Sequence, residues 1–269
     1  MNRVAAGPAW HEPALWYSYL GGVAAGSYAL ACLAEVFGSE VDRRASRGAF
    51  NLVLPLAGVC AILLTAHAGR TGMVPPAAFG AFTTCALLSL LNALAKEGRL
   101  GRVRRRLGPR GDKTLAAAGG AAAVAFGTTA GLVLPLGWAG SVWARVLLIV
   151  SAVPAGVSAV VLVDRWRRPD AGDAAAERLG RFNGGAVVVE LAVLTGLALT
   201  ARGPFALAFL RWPGMLVPLF VVPVGLILPL ILGESRGIRG DGDAALLVLL
   251  GGFVLRAALA GMPDSVTLY

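Results

Sequence analysis

Residues 14–37 read ALWYSYLGGVAAGSYALACLAEVF, a run with one charged side chain, Glu35. A helix needs roughly 20 predominantly apolar residues to cross the hydrocarbon core of a bilayer, and this stretch has that length. Comparable runs follow at about 49–68, 74–95, 115–136, 142–164, 183–201, 214–233 and 244–261. Together they fill the 269 residues and leave little room for a soluble domain. The fold class expected is therefore an all-α integral membrane protein. Residues 1–269 form a single domain, a polytopic bundle of eight transmembrane helices. The first run lacks a basic leader and a small-residue cleavage site, so it reads as a retained helix rather than a signal peptide.

Composition agrees. The mean hydropathy is +0.73, with 57% hydrophobic and 14% charged residues, which excludes a soluble globular domain and a disordered chain. The 36 glycines suit close helix packing in lipid, where small residues let backbones approach. The net charge of +9 does not point to nucleic acid, because the cations gather in alternate loops. Arg43, Arg44 and Arg47 follow the first run, and a cluster from Lys96 through Arg99, Arg102, Arg104, Arg105, Arg106 and Arg110 to Lys113 follows the third. Arg165, Arg167, Arg168, Arg178 and Arg181 follow the fifth, and Arg236 and Arg239 the seventh. The opposite side holds only Arg3, Arg70, Arg202 and Arg211. Cytoplasmic loops carry the excess of Lys and Arg, so the expected topology is N-out/C-out in a prokaryotic cytoplasmic membrane.

Cys32, Cys60 and Cys85 lie inside apolar runs without metal-ligand spacing and read as small buried hydrophobes. His11 and His67 both fall near helix ends, so no bis-histidine haem pair is visible and no metal site is expected.

Ionisable groups within spans are costly and mark functional positions. Glu190 sits near the middle of the sixth run. It reads as a protonatable relay, as a counter-ion to a helix arginine, or as a carboxyl held between helices for packing. Arg256 lies in the outer half of the eighth run, too deep to reach water easily, and needs a carboxylate, carbonyls or a ligand oxygen. His11 and Glu12 before the first run, His67 and Arg70 ending the second, Arg145 starting the fifth and Arg256 all approach the outer leaflet. A site exchanging protons with a quinone needs an imidazole, carboxyl or hydroxyl near the ring oxygens; the alternative is a set of interface charges that never meet. Gly22 and Gly26 form a GxxxG step of the kind that packs helices closely. Pro218, Pro223 and Pro229 predict kinks in the seventh run.

Several stretches, in order, resemble the NrfD/polysulfide reductase membrane-subunit family. Pro13-Ala-Leu-Trp-Tyr17-Ser-Tyr19-Leu-Gly21-Gly22-Val-Ala-Ala-Gly26 is similar to its first-helix signature. His67-Ala-Gly69-Arg70 stands where that family has an Asp-Leu-Gly-Arg turn. Thr129-Ala-Gly131-Leu-Val-Leu, Trp143 and Ser151–Gly156 resemble its helix 4–5 hairpin, and Arg178–Glu190 its sixth helix. Pro223-Val-Gly225-Leu-Ile-Leu-Pro229 and Leu250-Gly-Gly252-Phe-Val-Leu-Arg256 resemble its seventh and eighth. Three positions depart from the pattern. His11 sits nearer the proline than the family's histidine, His67 replaces an acidic residue, and Thr129 replaces an aromatic hydroxyl.

The resemblance implies an enzyme subunit, the quinone-reactive membrane anchor of an oxidoreductase complex. Such an anchor exchanges electrons between (mena)quinone and a ferredoxin-like iron–sulfur subunit wired to a molybdopterin catalytic subunit. The metal clusters reside on those partner chains. The quinone-binding residues implied are His11, Tyr17, His67, Arg70, Thr129 and Arg256. Glu190 and Arg256 would serve proton relay or charge pairing. Two other readings stand beside it. One is a purely structural anchor without a working quinone site, favoured by the changes at 67 and 129. The other is a small-solute transporter, disfavoured by the lack of a visible inverted repeat.

Overall fold

The computed structural model describes residues 12–38, 40–71, 76–96, 101–132, 142–167, 174–200, 209–210, 212–236 and 238–261. The helices are α1 (Glu12–Phe37), α2 (Glu40–Thr71), α3 (Pro76–Lys96), α4 (Gly101–Leu132), α5 (Val142–Arg167), α6 (Ala174–Thr200), α7 (Val217–Ile227), α8 (Leu228–Arg236) and α9 (Ile238–Gly261). No strand occurs among the described residues.

Six of these helices are long and apolar enough to cross a membrane: Pro13–Phe37, Gly48–Ala68, Ala77–Leu94, Val146–Trp166, Glu177–Leu199 and Gly242–Gly261. This is an all-α, multi-pass membrane architecture. The other two apolar runs fall on α4, which packs between α1 and α3, and on the joined pair α7–α8. Helices also reach further than hydropathy suggests. α2, α4 and α6 begin at Glu40, Gly101 and Ala174, inside segments whose charge reads as loop. In α6 the flank is rich in Ala, Glu, Arg and Leu, which are good helix formers; the flank of α4 is helical in spite of Gly108, Pro109 and Gly111.

The prolines of the seventh run change the winding itself. α7 is a π-helix with Pro223 inside it. Proline has no N–H to give and crowds the carbonyl four residues back. The Leu228 N–H instead donates to the Pro223 carbonyl, five residues earlier. Such wide turns concentrate at functional sites.

Two apolar cores result. One joins α1, α2, α3 and α4 through Tyr17, Tyr28, Phe50, Cys60, Cys85 and Phe126. The other joins α5, α6, α7 and α9 through Leu147, Leu194, Val221, Leu255 and Leu259. α1 and α5 are the seam between them, where Tyr19, Val23, Ala155 and Ala159 meet. That seam is closed by glycine. A Cβ on Gly26 would collide with the Ala152 carbonyl and lie 3.2 Å from Gly156 Cα, and one on Gly156 would collide with the Ser27 amide nitrogen. Ser27 adds a hydroxyl bond to the Gly156 carbonyl at 3.0 Å. The second core has its own crossing, where a Cβ on Gly225 would lie 2.7 Å from Gly251 Cα.

Candidate functional site

α1 carries the polar groups of both sides. Residues two apart on a helix point in nearly opposite directions, so Tyr17 and Tyr19 face different cores.

Tyr17 turns toward α2, α3 and α4. It is fully buried (0% exposed), packs edge-on against Phe126 with ring centroids 6.2 Å apart, and shares a cluster with Cys60, Leu64 and Cys85. Its hydroxyl has no hydrogen-bond partner among the described residues. A buried donor left without a partner costs about 1–3 kcal/mol, so this atom stands out. Gly21, one turn along, lets α4 approach: a Cβ there would lie 3.2 Å from Ala130 Cβ and from Phe126 Cζ. His67 lies seven residues beyond Cys60, two turns further along α2 on the same face, and is half-buried. Thr129, on α4 one turn beyond Phe126, returns its hydroxyl to its own helix, donating to the Ala125 carbonyl at 3.0 Å and the Phe126 carbonyl at 3.1 Å.

Deeper on the same face of α1 lies a polar knot that the hydropathy pattern hides. Asn92 Nδ2 on α3 donates to the Tyr28 hydroxyl at 2.6 Å, both groups buried. Gly119 on α4 makes the room, since a Cβ there would collide with that hydroxyl and lie 3.0 Å from Cys32 Sγ. An asparagine in the third apolar run was the available signal.

Tyr19 turns the other way and leads to the charges. Its hydroxyl donates to the Leu249 carbonyl at 2.9 Å, and the Arg256 guanidinium carbon lies 5.7 Å from its ring centroid, within cation–π range. Arg256 is 1% exposed. Its Nη1 donates to the Gly252 carbonyl at 3.2 Å, one turn back, and Nη2 to the Leu148 carbonyl on α5 at 3.5 Å. Nε has no partner among the described residues. Gly22 is what admits the guanidinium: a Cβ there would sit 2.6 Å from Nη2. The countercharge is Glu190 on α6, 2% exposed, which interacts electrostatically with Arg256. Among the described residues the two make no ion pair within 4.0 Å. Four helices thus converge on one buried arginine.

Tyr17, His67 and Thr129 are brought to one side of α1, and Arg256 and Glu190 to the other. His11 and the side chains of Glu12, Arg70 and Arg145 lie outside the described residues. Among the described residues, no group of three or more His, Cys, Asp or Glu side chains could hold a metal ion. No family model matches the chain, and no curated protein matches it.

Proposed function

We propose that this chain is the quinone-reactive membrane subunit of an oxidoreductase complex, with eight crossings and N-out/C-out topology in a prokaryotic cytoplasmic membrane. The observation that carries the reading is the Tyr17 hydroxyl, a fully buried donor with no protein partner among the described residues. Tyr17 is one of the quinone-binding residues that the family resemblance implies. A quinone ring oxygen is the kind of acceptor that would complete it. Bound there, a quinone supplies two-electron, two-proton redox chemistry. The chain's own contribution is to orient the ring. Tyr17 would donate to a ring oxygen, His67 would exchange the proton toward the helix ends, and the apolar walls of Leu64 and Phe126 would exclude water. Arg256 and Glu190 lie on the other face of α1. We assign them to charge pairing within the second core rather than to ring contact.

The partners proposed are a ferredoxin-like iron–sulfur subunit and a molybdopterin catalytic subunit. Purifying the tagged chain from native membranes in mild detergent tests this. Both partners in the eluate, with menaquinol-linked turnover that falls when His67 is replaced by Ala, support the proposal. A chain that elutes alone, also after gentler extraction, overturns it. A second reading, a structural anchor without quinone chemistry, is favoured by Thr129, whose hydroxyl is committed to its own helix. Partners without quinone-dependent turnover would select it.

A further inference from the structure

Two buried polar atoms beside α1, Ser18 Oγ and Arg256 Nε, have no hydrogen-bond partner among the described residues. Their residues are 2% and 1% exposed. Hydroxyls elsewhere in the helices are satisfied locally. Ser89, Thr128, Ser151 and Thr195 each donate to a carbonyl of their own helix, three or four residues back. The Ser18 hydroxyl is not committed in that way. The two atoms belong to one place. Gly22 is one turn from Ser18 on the same face of α1, and a Cβ there would lie 2.6 Å from Arg256 Nη2 and 3.4 Å from Cζ. α9 runs antiparallel to α1, since Tyr19 bonds the Leu249 carbonyl while Trp16 meets Phe253. Arg256 is therefore rooted toward the Ser18 end of α1 and reaches along it to Gly22, with its fork folded back onto the Gly252 carbonyl. Nε stands between that stem and the fork, on the Ser18 side. Glu190 interacts electrostatically with Arg256, yet the two form no ion pair within 4.0 Å among the described residues.

We infer that Ser18, Arg256 Nε and Glu190 hold one internal water molecule, which joins the buried charges without direct contact. Nε–H donates to the water oxygen, the Ser18 hydroxyl shares a hydrogen bond with it, and a water proton is donated to the Glu190 carboxylate. A buried water makes about three hydrogen bonds to polar groups that lack protein partners, and this site offers that number. A dry site is the costly alternative. Buried charges repay their desolvation only where the remaining donors are satisfied, and here a guanidinium N–H and a hydroxyl would both go unmet. A halide would also accept from Nε and Ser18, but it would place a second negative charge beside Glu190, where one already answers Arg256. The site is independent of the quinone reading.

The test uses the full-length chain in nanodiscs, with thermal unfolding as one readout and a high-resolution density map as the other. A buried hydroxyl without any ligand is a liability, so its removal would hold or raise the Tm. With the water in place, Ser18→Ala takes away one of its three bonds and should lower the Tm by about 2–4 °C. Ser18→Ala and Glu190→Leu together should lose less than the sum of their separate losses, because either change alone already loosens the water. The wild-type Tm should be equal in chloride and in gluconate. The wild-type map should show a density peak within hydrogen-bond distance of both Ser18 Oγ and Arg256 Nε, a result that does not depend on any variant folding. An unchanged or raised Tm in Ser18→Ala, additive losses in the double variant, or no density peak overturns the inference. A Tm that rises with chloride overturns it in favour of an anion.

Discussion

The two faces of α1 bury polar groups by opposite strategies. Toward α2–α4 the groups are neutral. Tyr28 is satisfied by Asn92, and Tyr17 is left with an open hydroxyl. Toward α5–α9 the groups are charged. Arg256 is held by two carbonyls, a tyrosine ring and the nearby Glu190. A buried charge is stable only when its surroundings compensate it, and most of the Arg256 guanidinium is engaged, with Nε alone lacking a partner among the described residues. A neutral donor tolerates an unfilled position far more cheaply. The face with the weaker internal network is the one that can accept a ligand, and the face with the stronger network holds the two cores together.

The charged face should show the largest stability effects. Replacing Arg256 with Leu leaves Glu190 buried without its countercharge, and should cost about 3–5 kcal/mol, read as lost thermal stability of the detergent-solubilised chain. Adding Glu190→Leu should recover part of that loss, since a buried pair replaced by apolar residues is often close to neutral. Additive losses in the double variant would break the contrast, because they would mean that the two residues are not one unit.

The seam between the faces comes next. Gly26→Ala pushes a Cβ into the Ala152 carbonyl, and a backbone atom in a helix cannot move aside. About 3 kcal/mol should be lost. Gly58→Ala is the control, because a Cβ there meets nothing within 4 Å, and it should lose nothing and gain up to about 1 kcal/mol from helix propensity. Equal behaviour of the two glycines would remove α1–α5 contact as the reason for Gly26.

On the neutral face, Asn92→Leu takes the partner from the Tyr28 hydroxyl and should cost about 1–3 kcal/mol by the same assay. No loss would mean that the pair at 2.6 Å adds nothing to packing.

These faces were only partly legible in the sequence. The apolar runs located the helices well; 14–37 became Glu12–Phe37 and 244–261 became the C-terminal part of Ile238–Gly261. Hydropathy reports burial in lipid, and lipid burial is what defines a span. It could not report how far helix continues into charged flanks, as at Gly101, where the chain is helical through residues of low hydropathy. Glu190 and Arg256 were visible because each interrupts an apolar run. Their relation to α1 was not, since nothing in a linear pattern says that Gly22 leaves space for a guanidinium. The GxxxG step announced close packing. In the structure its two glycines do different work, Gly26 meeting the α5 backbone and Gly22 meeting a side chain. A spacing motif carries no name for its partner. Likewise, the three prolines marked the seventh run as irregular, but not that the irregularity would take the form of a π-wound segment.

Tyr17→Phe should have the smallest effect on stability and is the sharpest test of the comparison. The hydroxyl makes no hydrogen bond among the described residues, so deleting it removes no contact, and the edge-on packing against Phe126 survives in phenylalanine. Stability should therefore hold or rise slightly, because the cost of burying an unpaired donor disappears. If that hydroxyl instead meets a ligand oxygen, quinone-linked turnover of the assembled complex should fall about tenfold or more, the loss expected for a hydrogen bond of about 1.4 kcal/mol. A variant as stable as the wild type with turnover reduced assigns the open position to a ligand. A variant less stable by about 1 kcal/mol with turnover unchanged assigns it to an internal partner, and the two faces of α1 would then differ in charge alone.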